Sequence, residues 1–237
     1  MSHPAQSGLS CRPLDRGACS FGKQVSEDRN PPSASGEGVS SESDARVDLY
    51  WLPLGAGGHS VRLNGSIFEA TAAFIGRRSA CDLYHSALVV RVPSGRFVVE
   101  QAPIPRGDGA TRGVVAEGAV GSRVAGRFRL FRYEIRRWRD GVIPDIAEAV
   151  GSPHRLTDDL VLAQRLLDLV PHVPTPVWGR DELGTGEMWN SNSITSWLVT
   201  RSGVATETVR PPAGGRAPGW SAGVVAARRT TADSSAT

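Results

Sequence analysis

Between residues 83 and 101 two apolar runs face each other across a four-residue turn, and that pattern dictates an antiparallel sheet. Residues 83–93 alternate roughly and carry the β-branched Val89, Val90 and Val92. Pro93-Ser94-Gly95-Arg96 has turn chemistry, and Phe97-Val98-Val99-Glu100-Gln101 returns. A parallel pair would need a crossover of a dozen or more residues, which this spacing excludes. Residues 47–54 form a short strand or extended entry, and Phe128, Leu130, Phe131, Tyr133 and Ile135 predict a third strong strand over 127–138.

Helical patterns lie apart from these strands. Ser66 caps a predicted helix in which Ile67, Phe68, Ala70, Thr71, Phe74 and Ile75 share a face, ending near Arg77-Arg78. Thr157-Asp158-Asp159 opens a helix over 158–170, stopped by Pro171, Pro174 and Pro176. A further helix runs over 193–202 and is closed by Gly203. Helices segregated from an antiparallel sheet define an α+β class.

Composition sets the boundaries. Residues 1–45 lack hydrophobic periodicity and contain runs such as Ser40-Ser41-Glu42-Ser43-Asp44, too polar to offset the entropy of ordering. They are expected to be a disordered tail, residues 46–225 a single globular domain, and residues 226–237 a second frayed tail. No eighteen-residue apolar stretch and no basic-then-apolar N-terminus is present, so neither a membrane span nor a secretory signal is expected. Cysteines fall at 11, 19 and 81, which leaves Cys81 alone in the domain, without a disulfide framework or a cysteine zinc site. A cytoplasmic protein with no metal, no cofactor and no membrane partner is the expectation.

Lys23 is the single lysine among 27 basic residues. The first 45 residues carry four basic and six acidic side chains, which leaves the remainder at about +5 of the chain's net +3. Arginines at 123, 127, 129, 132, 136, 137 and 139 suggest a basic strand, explained by a solvated sheet surface or an acidic partner. Without aromatic residues interleaved on the same face, nucleic acid is not the expected partner. Gly55-Ala56-Gly57-Gly58-His59 reads as a structural loop; an anion cradle with His59 is the alternative. Residues 211–220, rich in Pro and Gly, read as an arm laid over the domain and anchored by Trp220.

Two places offer chemistry. His85 opens a strand, and counting from the turn sets Glu100 near it on the partner strand, where a carboxylate would fix the imidazole tautomer for general-base work. The alternative is a partly buried histidine satisfied by a carbonyl. The second place is Asn190-Ser191-Asn192-Ser193, before an apolar face made by Ile194, Trp197 and Leu198. A nucleophile there meets unsatisfied N–H groups and the positive end of the helix dipole. Asn and Ser are also the best N-caps, so capping alone accounts for the same residues.

The histidine strand (Tyr84-His85-Ser86-Ala87-Leu88-Val89-Val90), the strand Val98-Val99-Glu100-Gln101 and the helix entry Asn190-Ser191-Asn192-Ser193-Ile194 together resemble the circularly permuted papain-like superfamily. That group includes permuted NlpC-like peptidases, lecithin:retinol acyltransferase-like proteins and PPPDE-like peptidases. The resemblance implies a hydrolase or acyl-transfer domain acting on an amide, ester or thioester. In it Ser191 attacks, His85 takes the proton and Glu100 orients His85, while Asn190 or Asn192 aids the oxyanion and Gln101 and Tyr84 support the site. Ser191 stands where the family has a cysteine, and a hydroxyl is far less acidic than a thiol. The resemblance therefore also admits a domain that has lost catalysis and keeps the cleft for a peptide, acyl or protein partner.

Overall fold

In the computed structural model, which describes residues 45–54, 83–104 and 112–234, the two facing runs become strands β2 (Tyr84–Val92) and β3 (Gly95–Pro103). They pair antiparallel from Val92↔Gly95 to Leu88↔Val99 around a two-residue turn at Pro93-Ser94. Gly95 closes that turn with φ 136°, a conformation that side chains with a Cβ rarely adopt.

Four more strands complete the sheet: β1 (Arg46–Pro53), β4 (Val114–Ala119), β5 (Arg132–Arg139) and β6 (His154–Thr157). The order is β4-β5-β3-β2-β1-β6, with every named neighbour pair antiparallel. The helices are α1 (Leu160–Leu169), α2 (Ser191–Ser202) and α3 (Trp220–Ser234). The fold is α+β, an antiparallel sheet with flanking helices. Among the described residues no helix is long and apolar enough to cross a membrane.

Strand alternation sorts the side chains onto two faces. On the first, Val47, Leu49, Trp51, Tyr84, Leu88, Val90, Val99, Tyr133 and Ile135 join one core with Leu166 of α1, Ile194, Trp197 and Leu198 of α2 and Ala226 of α3. On the second, Leu52, Ala87, Val89 and Val98 pack with Ile143, partly covered by Ile146 and Ala149. Each large side chain buried this way contributes about 1.5–3 kcal/mol, so an element settles where its apolar face is covered. That rule makes β2 two-sided: its even-numbered residues belong to the helical core and its odd-numbered ones to the other cluster.

Three expectations change. The strand over 127–138 starts only at Arg132; before it the chain makes two 3-10 turns, Ala125–Arg127 and Arg129–Phe131. Phe128 and Leu130 alternate as a strand would. Continued in register, however, they would point with Glu134 and Arg136 onto the polar part of the second face, so alternation alone does not hold them there. The frayed tail expected from residue 226 is instead helix α3 as far as Ser234, because Ala226 and Ala227 are small enough to bury against the core. Strands β4 and β6 lack a strong pattern and were not expected: β4 contains Gly118, where a Cβ would overlap the Tyr133 ring, and β6 has four residues. The predicted helix near 66–78, the Gly55–His59 loop, Cys81 and the first 44 residues lie outside the described residues.

Candidate functional site

Helix α2 begins at Ser191 with Asn190 as its N-cap. Asn190 Oδ1 accepts from the N–H groups of Asn192 (2.9 Å) and Ser193 (3.3 Å), and Ser193 Oγ accepts from Asn190 N at 3.1 Å. This reciprocal capping box satisfies orphan donors of the first turn.

The same residues hold the arm that follows α2. Asn190 Nδ2 and Asn192 Nδ2 both donate to Pro218 O, at 2.8 and 2.9 Å. Asn192 Nδ2 also reaches Tyr84 O at 2.9 Å, while Tyr84 N donates to Arg216 O at 2.8 Å. Ser193 Oγ donates to Gly219 O and Ser196 Oγ to Trp220 O, each at 2.7 Å. The Trp220 ring stacks obliquely on Trp51, with centroids 5.2 Å apart. The arm predicted from its prolines and glycines is thus stitched between β2 and α2. Asn190, Asn192 and Ser193 are structural ties, as the capping reading held. Ser191 differs: its side chain makes no hydrogen bond among the described residues.

His85 does not join Ser191. It pairs with Leu52 in register and shares the alternation of Ala87 and Val89, all members of the second face. Helix α2 packs on the first face, so the sheet stands between the Ser191 hydroxyl and the imidazole. A single-residue offset decides this, since neighbouring strand positions point to opposite faces. Desolvation pushes His85 down to about 4, which leaves the ring neutral near pH 7.

Glu100 likewise belongs to the second face, by alternation with Val98, but its carboxylate is taken by another partner. Arg136 Nη1 donates to it at 2.7 Å, and the same guanidinium bonds Glu134, which also accepts from Arg112 Nε at 3.1 Å. Burial raises the Glu100 pKa, and the Arg136 charge opposes the rise. Glu100 therefore anchors a buried ion network instead of orienting His85, and the expected Ser191–His85–Glu100 relay is not assembled.

The first face, which the helices cover, holds other polar groups. The β2–β3 ladder ends at Leu88↔Val99, although β2 continues against β1 (Trp51↔Ser86) and β3 against β5 (Gln101↔Ile135). Ser86 and Gln101 lie where the ladder has stopped, on the side that faces the helices. They are 1% and 7% exposed, yet Ser86 Oγ and both amide atoms of Gln101 have no hydrogen-bond partner. Asn192 Oδ1, whose amide nitrogen is tied two residues away at Tyr84, is also unpartnered. Gln101 was singled out by the sequence. Ser86 was missed, and its signal was a small polar residue at an even position between Tyr84 and Leu88.

Among the described residues no group of three or more His, Cys, Asp or Glu side chains is placed to hold a metal ion. Comparison with known proteins finds no matching family model, no matching curated protein and no matching solved structure.

Proposed function

We propose that this domain is a non-catalytic binding module of the permuted papain-like kind, taking a peptide segment at the entry of α2. The observation that carries the reading is the set of buried, unpartnered groups on the first face: Ser86 Oγ, the Gln101 amide and Asn192 Oδ1. Leaving such groups unpaired costs about 1–3 kcal/mol each, and a ligand that pairs them recovers that cost. Gln101 offers one acceptor and two donors, the complement of a peptide group. The free Ser191 hydroxyl adds a further partner at a helix N-terminus, which favours a carbonyl oxygen.

The hydrolase reading has less support. It needs a base beside Ser191, and the His85 ring lies across the sheet. A fluorophosphonate probe separates the two readings: the folded protein is expected to remain unlabelled. Labelling lost in both Ser191→Ala and His85→Ala would overturn the proposal in favour of a hydrolase. Binding is tested by titrating 15N-labelled protein with acetylated, amidated tetra-alanine. The side-chain amide of Gln101 and the backbone amides of Ser86 and Ser191 should shift, and Gln101→Leu should abolish the response. Unmoved resonances at these positions would sink the reading.

A further inference from the structure

The chain that precedes β5 presents a surface the binding site does not use. Val124, Phe128, Leu130 and Phe131 are 68, 66, 46 and 39% exposed, an unusual density of large apolar side chains in eight residues. Arg127 and Arg129 stand among them, also exposed, and form no ion pair among the described residues. The neighbouring Arg123 and Arg132 are neutralised by Glu182 and Glu117. No carboxylate occurs between Ala119 and Tyr133 in the sequence.

Five of the eight backbone N–H groups of residues 124–131 are paired locally. Gly126 N donates to Ser122 O (3.1 Å), Arg127 N to Val124 O (3.2 Å), Phe128 N to Ala125 O and Phe131 N to Phe128 O (both 2.9 Å). Ala125 N is taken by Ser122 Oγ at 3.1 Å, and Val120 N ties the far end to Phe131 O at 2.8 Å. The paired groups can face an apolar phase, and the N–H groups of Val124, Arg129 and Leu130 keep to the hydrated headgroup level of an interface.

We propose that residues 124–131 form a contact surface for an anionic lipid bilayer. The apolar side chains enter the headgroup–acyl boundary while Arg127 and Arg129 meet lipid phosphates, their stems lying along the interface. Charge complementarity selects the occupant: two unpaired cations and no acid select an anionic surface. Nucleic acid would use Phe128 and Phe131 as stacking platforms but leaves Val124 and Leu130 without a role. A bilayer takes aliphatic and aromatic side chains alike. That no helix among the described residues is long and apolar enough to cross a membrane concerns a different kind of membrane association and does not bear on this one.

The test is co-sedimentation of the full chain with phosphatidylcholine vesicles, with and without phosphatidylglycerol. Binding is expected only to the anionic vesicles and should weaken as salt rises. Phe128→Ser/Leu130→Ser should weaken it by roughly tenfold or more, and Arg127→Gln/Arg129→Gln should remove the preference for phosphatidylglycerol. Circular dichroism checks that these exposed substitutions leave the fold intact. Failure of the wild-type chain to sediment, or equal sedimentation of both variants, overturns the proposal. So does tight binding of single-stranded RNA, or self-association lost in these variants, without vesicle binding.

Discussion

Asn192 ties the first turn of helix α2 to the strand beneath it, its amide nitrogen 2.9 Å from both the Tyr84 and Pro218 carbonyl oxygens. One side chain thus joins a helix, a central strand and the arm leading to α3. The motif that looked most like a nucleophile setting is, at three of its four positions, the clamp that closes the fold.

Removing the clamp should be costly while removing the neighbouring hydroxyl should not. Asn192→Ala removes the bond that ties helix α2 to Tyr84 O, while Pro218 O keeps its bond from Asn190 Nδ2, and is expected to destabilise the domain by about 1–2 kcal/mol. Ser191→Ala deletes a hydroxyl that bonds nothing among the described residues and should stay within about 0.5 kcal/mol. Urea unfolding midpoints compare them, and equal losses would show that Ser191 is a structural tie after all.

At Gly223 helix α3 lies close against α2. A Cβ there would overlap the Ser193 carbonyl oxygen and the Ser196 hydroxyl, both on the backbone-proximal side of α2. Gly223→Ala should therefore destabilise by about 2 kcal/mol or more despite the better helix propensity of alanine. Thermal denaturation reads the sign: a raised melting temperature would mean the helices part at no cost.

The Arg136 guanidinium holds two buried carboxylates, Glu100 and Glu134. Arg136→Met should cost about 3–5 kcal/mol, because it leaves uncompensated buried charge. Adding Glu100→Gln and Glu134→Gln should recover a large part of that loss, and chemical denaturation of the single and triple variants measures it. A triple variant no more stable than Arg136→Met would locate the loss in packing.

His85 links stability to pH. Its folded pKa of about 4 lies below the ordinary 6.5, so the unfolded chain takes up the proton first as pH falls. The neutral ring's contribution is fully present above pH 6.5 and is lost between about 6.5 and 4, by at most roughly 3 kcal/mol. Glu100 acts in the opposite sense, since its raised pKa lets the folded state hold a proton to higher pH than the unfolded chain does. The His85 share is therefore the difference between wild type and His85→Leu in denaturation series across that window. Parallel pH profiles would show that the ring titrates normally.

Local chemistry in the chain was enough for much of this protein. The Pro93-Ser94 turn between β-branched runs set the hairpin, Thr157-Asp158-Asp159 and the entry at Asn190 to Ser193 marked two helix starts to within two residues, and Gly203 marked a helix end. These are interactions within a few residues, where propensity and hydrogen bonding decide the outcome. The anchoring role of Trp220 was also legible, as a large aromatic at the end of a chain too rich in proline and glycine to fold alone.

The candidate site depended on relations that sequence distance does not record. Counting from the turn put Glu100 near His85 and correctly left both on one strand pair. Which face that pair turned toward α2 was set by which apolar set the helices covered. The choice buried Tyr84, Ser86 and Leu88 under the helices and sent His85 and Glu100 to the other side. In the same way Phe128 and Leu130 had a strand's alternation but no apolar surface awaiting them, and Ala226 and Ala227 had a tail's composition but a core to enter. Secondary structure followed from neighbours along the chain. The meeting of functional side chains followed from which surfaces were covered, and burial of the whole sheet decided that.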